Sequence, residues 1–134
     1  MVKKEELMIG DYVSVSGTPL KIAALGTVKA GFLDGKGEMF YHSYDNIHPI
    51  PLTDEILINY GFEGTPTRDL FIEKNLWETY AIELFPSDGS WIIRITDKTN
   101  KHNDGCNRIN LYINHIHELQ HALRLCGIER RIEP

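Results

Sequence analysis

Residues 28–42 read VKAGFLDGKGEMFYH. Two strand-forming runs, VKAGFL and EMFYH, flank Asp34-Gly35-Lys36-Gly37. Asp-Gly tolerates the positive φ of a tight turn, so the stretch predicts an antiparallel hairpin. Upstream, DYVSVSG alternates, with Tyr12 and Ser14 on one face and Val13 and Val15 on the other. Gly17-Thr18-Pro19 signals a turn, and LKIAAL, closed by Gly26, reads as a second strand. Strands this short and this often interrupted predict a small, strongly bent sheet. The expected first module is an SH3-like β-barrel over residues 1–52.

Downstream, HPIPL forms an extended bridge, because two prolines bias their neighbours away from helix. Thr53 suits an N-cap, and Asp54 and Glu55 suit the positive end of a short helix. Ile56, Leu57 and Tyr60 would be its apolar face. Gly61 would end it, with Phe62 folding back on the cap. Leu70 and Ile72 then alternate with polar neighbours, as do Tyr80, Ile82 and Leu84. Trp91, Ile93 and Ile95 repeat the pattern after a turn at Pro86–Gly89, and so do Ile109, Leu111 and Ile113. Short links between them predict an antiparallel meander. The class is α+β: the barrel module, then residues 53–134 as a short helix, an antiparallel sheet and a capping C-terminal helix. Both parts are expected to pack as one unit.

The C-terminal helix carries His117-Glu118-Leu119-Gln120-His121, an HExxH sequence. On a helix that spacing puts two imidazoles one turn apart for zinc, with the glutamate as general base. A helical wheel argues against this use. Ile116, Leu119, Ala122, Leu123 and Cys126 form one apolar stripe, and His117 and His121 lie roughly opposite it beside Arg124. Both histidines are therefore expected to face water. A zinc hydrolase also needs a third protein ligand. Glu129, Glu133, His42, His48, His102 and His115 offer none at diagnostic spacing. Asn114 would cap this helix and Gly127 would end it.

LMIGDYV, IHPIPLTDEILINYGFE and YINHIHELQHALRLCGI together resemble a family of small uncharacterised proteins of Bacteroidetes and their phages. That family has an R/M-I-G-N/D-x-V strand, an I-K/H-P-I-P-L-T hinge and a closing helix reading like V-H-x-L-Q-N-L-Y-x-A-L-T-G, in which Asn typically occupies the position of His121. The resemblance implies an origin and a layout. It implies no reaction, and it suggests that zinc chemistry is not shared.

Two other clusters merit attention. Tyr41, His42, Tyr44, Asp45 and His48 crowd into YHSYDNIH. They could line a pocket with stacking faces and imidazoles, or pack as an ordinary strand edge. Lys98, Lys101, His102 and Arg108 supply cationic donors in DKTNKHNDGCNR. They could hold an anion, although no phosphate-loop spacing is present. Cys106 near His102 shows no sign of activation.

The chain has 134 residues, 42% hydrophobic and 25% charged, enough to bury a core without staples. Its 14 basic and 19 acidic side chains give a net charge of −5, which argues against general nucleic-acid binding. Cys106 and Cys126 are too few for a disulfide framework. No apolar run approaches a membrane span and no signal peptide is expected, so the cytoplasm is the expected compartment. These readings favour a non-catalytic binding protein, a phage or bacterial accessory factor. It would inhibit a host protein or sequester a small signalling nucleotide, with Tyr41, His42, Tyr44, Lys98, Lys101, His102 and Arg108 as ligand-binding residues. No cofactor is expected, and self-association stays open. The alternatives are a zinc hydrolase using His117, Glu118 and His121, and a structural or assembly component.

Overall fold

Ser16 and Gly17 adopt φ of 51° and 81°, and Val15 pairs with Thr18 across them. Both central residues are left-handed, as a two-residue type I′ hairpin requires. The turn therefore precedes the expected Gly17-Thr18-Pro19, and Thr18 and Pro19 belong to the next strand. The structure is a computed structural model, describing residues 2–59, 62–64, 71–73, 80–97 and 108–125. It is α+β, with antiparallel strands in two sheets and a C-terminal helix.

The first sheet contains β1 (Tyr12–Val15), β2 (Thr18–Leu25), β3 (Lys29–Leu33), β4 (Met39–Ser43) and β5 (Ile47–His48). Their order is β4-β3-β2-β1-β5. The 34–38 loop is fixed by Asp34, whose Oδ1 accepts from the N–H groups of Lys36 (2.8 Å) and Glu38 (2.9 Å). Gly37, not Gly35, takes the positive φ, at 80°. A single 3-10 turn, Tyr44–Asn46, separates β4 from β5 and starts at Ser43, whose hydroxyl accepts from the Asp45 N–H. Val13, Val15, Ile22, Ala30, Phe32 and Ile47 form the core with Val2 and Leu7. Among the described residues β4 and β5 do not pair, so the sheet is open at both edges and no closed barrel forms.

The second sheet follows α1 (Asp54–Asn59), which Thr53 caps through its hydroxyl on the Ile56 N–H. Phe62 is buried at the start of β6 (Phe62–Gly64), opposite Glu73, and the expected stop at Gly61 lies outside the described residues. The meander continues through β7 (Phe71–Glu73), β8 (Tyr80–Ser87), β9 (Ser90–Asp97) and β10 (Arg108–Ile113), in the order β10-β9-β8-β7-β6. Asp88 and Gly89 make the β8–β9 turn at φ 46° and 81°, and Pro86 lies inside the strand opposite Trp91. Ile82 and Leu84 face Ile95 and Ile93 across the ladder, all buried, as alternation requires. Trp91 is buried, and its indole N–H donates to the Leu52 carbonyl at 3.1 Å.

Contacts divide the chain into two units, residues 1–51 with the chain from His115 on, and residues 52–114. The first boundary between them lies between Pro51 and Leu52. The C-terminal helix, α2 (Ile116–Leu125), is grouped differently. The sequence reading attached it to the second part, whereas it belongs to the first unit. Backbone bonds explain the grouping: Ile116 N–H donates to Ile50 (2.9 Å), and His115 bridges to Pro51. The first helical bond, Leu119 N–H to His115 (3.2 Å), makes His115 the cap residue, one position after the expected Asn114.

Candidate functional site

Alternation in VKAGFL puts Ala30 and Phe32 in the core and turns Gly31 and Leu33 outward. Gly31 stands beside Ala24 on β2 and Tyr41 on β4, and Leu33 stands opposite Met39. A Cβ on Gly31 would come within 2.8 Å of the Met39 sulfur and 3.1 Å of Tyr41 Cε1. Met39 and Tyr41 therefore lie down across β3 at the point where a side chain is missing. Leu33 remains 55% exposed, Tyr41 59% and Ile9 62%. Beside Leu33 opens a groove of about 500 Å³, lined by Ile9, Gly10, Lys21, Ile22, Ala23 and Leu33. Ala23 sits where the β2–β3 register slips between Ile22 and Ala24. A bulge there bends the strand, consistent with a hollow beside it. One cation, Lys21, borders an otherwise apolar lining.

The residues singled out in YHSYDNIH are divided by the same alternation. Tyr41 belongs to the exposed face just described. His42 is half-buried on the other face, its ring 5.8 Å from Phe32 and 5.6 Å from Phe40. Tyr44 packs against the core, and its hydroxyl donates to the Gly26 carbonyl at 2.7 Å. Burial, followed by the charge of Glu5, pushes that phenol above its ordinary range, against the lowering effect of the Gly26 bond. Lys98, Lys101 and His102 lie outside the described residues. Arg108 opens β10 opposite Thr96.

The HExxH residues are placed differently from the wheel expectation. The apolar stripe is buried as expected, at Ile116, Leu119, Ala122 and Leu123. His117 does not face water: it is 3% exposed, and its Nδ1 is buried without a partner. The wheel assigned one buried face, but the polar side of α2 is also packed, against the Met8–Tyr12 turn. Gln120 spans that contact, accepting from the Tyr12 N–H (3.0 Å) and donating to the Gly10 carbonyl (3.1 Å). Asp11 is fully buried, and its Oδ2 lies 2.7 Å from both His121 Nε2 and the Met8 N–H. Arg124 stands 3.8 Å from the other carboxylate oxygen.

These bonds bear directly on zinc chemistry. His121 Nε2 lies 2.7 Å from Asp11 Oδ2, so this nitrogen is engaged by the turn. Glu118, the would-be general base, is 2.7 Å from His115 Nδ1. Among the described residues no three His, Cys, Asp or Glu side chains form a metal-holding group. The arrangement is a hydrogen-bonded dock between a helix and a turn.

Among the described residues no helix is long and apolar enough to cross a membrane. Compared with known family models, curated proteins and solved structures, the chain matches none. The groove residues Ile9, Lys21, Ala23 and Leu33, and Met39 on the neighbouring face, were not singled out from the sequence. A signal was present: VKAGFL and EMFYH carry apolar residues on both faces. In a sheet with one buried face, that leaves an apolar surface outside.

Proposed function

We propose that the protein is a non-catalytic binding module whose target is another protein. The exposed apolar face carries this reading: Leu33, Met39 and Tyr41 lie together, and the Ile9–Lys21–Ala23 groove adjoins Leu33. Contiguous apolar surface of this kind marks interaction sites, whereas singly scattered apolar residues do not. We read the first sheet as an SH3-like module. The order β4-β3-β2-β1-β5 and the 3-10 turn before β5 support that assignment.

An inhibitory accessory factor of a bacterium or its phage, acting in the cytoplasm, fits both the resemblance and a surface built for contact. A protein target fits this face better than a nucleotide, because the groove holds one cation, Lys21.

Affinity capture from a bacterial lysate, with the wild type and with Leu33→Asp and Tyr41→Ala, is the experiment. One defined protein is expected with the wild type, at least about tenfold reduced in both variants, since an anchor residue contributes about 1.4 kcal/mol or more. Purified, that protein should bind the wild type directly. A partner retained equally by both variants would move the site elsewhere. Heat from a nucleotide in calorimetry, lost in Lys101→Ala, would replace the reading with sequestration.

A further inference from the structure

Three imidazoles and two carboxylates form a continuous array where α2 meets the Met8–Tyr12 turn. Glu118 pairs with His115 at 2.7 Å, and Asp11 pairs with His121 at 2.7 Å. His117 lies between the pairs, its ring 5.7 Å from both neighbouring rings, parallel to His115 and edge-on to His121. The outer imidazoles are partly exposed, and each has a carboxylate partner. His117 is almost fully buried and its Nδ1 has none. A proton added to His117 would place a buried positive charge between two imidazoles with no direct counter-ion.

We propose that the His117 cluster is an acid-sensitive latch that holds α2 on the N-terminal module when His117 is neutral and releases it when His117 is protonated. Among the described residues, the charged and titratable groups bearing on His117 are Asp11 from the turn, and His115, Glu118 and His121 from the helix, with Arg124 reaching Asp11. Burial is the largest influence and holds the imidazole below the ordinary histidine range. Asp11 and then Glu118 oppose it, and His121 and His115 reinforce it. The docked state therefore binds this proton more weakly than the released state. Its stabilisation is fully present above the ordinary histidine value of about 6.5 and is lost as pH falls from there through the docked-state value. Gly10 connects the latch to the groove, because it lines the groove while its carbonyl accepts from Gln120. The latch does not depend on what the groove binds.

Hydrogen exchange on the full chain at pH 7.5 and 5.5, corrected for intrinsic rates, tests this. Protection of α2 and of the Met8–Tyr12 amides should fall by up to about tenfold, the limit set by pH 5.5 lying one unit below the ordinary histidine value of about 6.5, while β8 and β9 are unchanged. His117→Leu should abolish the fall, and His121→Gln should retain it. A ring titration of His117 in the wild type should give a midpoint below about 6.5. The proposal is overturned by a midpoint at or above that value, by an undiminished fall in His117→Leu, or by a fall that vanishes in His121→Gln instead. Should His117→Leu not fold, the wild-type titration decides.

Discussion

Asp11 joins the helix dock to the first sheet. Its Oδ2 takes the Met8 N–H and the His121 imidazole, and its backbone carbonyl takes the Ile22 N–H at 2.9 Å. Removing one partner of a buried polar set leaves the others desolvated and unpaired. Asp11→Ala is therefore expected to cost about 3 kcal/mol in urea unfolding. Asp11→Asn, which keeps an acceptor for Met8, should cost less. Equal stability of wild type and Asp11→Ala would mean that the dock contributes nothing. Little of this was legible beforehand. Asp11 and His121 are separated by 110 positions, and nothing local to either marks the pairing. His117 could not be read correctly for the same reason: a wheel ranks the faces of a helix by their own polarity and has no term for a second surface arriving from elsewhere.

Helix α2 shows what a wheel does read well. Leu119, Ala122 and Leu123 are buried while Leu125 is 83% exposed, as their angular positions require. Leu123→Ala should cost about 2–5 kcal/mol, because it deletes packed methyl groups and leaves a cavity. Leu125→Ala should cost under about 0.5 kcal/mol. Chemical denaturation of the two variants separates them, and equal costs would mean that the stripe is misassigned. Strand alternation was equally legible at Val13 and Val15 and at Ile82, Leu84, Ile93 and Ile95. Turn positions were less so. The turn expected at Gly17-Thr18-Pro19 falls instead on Ser16 and Gly17, both at positive φ. Register, not the identity of one residue, decided where that hairpin closed.

At the scale of the molecule, the first unit is discontinuous in sequence, since α2 returns to residues 1–51 after the whole second sheet. A chain ending at Asn114 would leave Asp11 without His121 and Arg124, and the Tyr12 N–H and Gly10 carbonyl without Gln120. Such a chain is expected to lose exchange protection in β1 and β2 while β8 and β9 keep theirs. Full protection in β1 would mean that the helix is dispensable. By itself the sequence determined the α+β class, the antiparallel pairing within each sheet and the apolar stripe of α2, because these follow from periodicity and turn chemistry over a few residues. Only the tertiary structure decided which half α2 joins, that His117 is buried, and that Leu33, Met39 and Tyr41 meet over Gly31 beside a groove. Each of these depends on surfaces brought together from distant positions, and local propensity carries no information about such encounters.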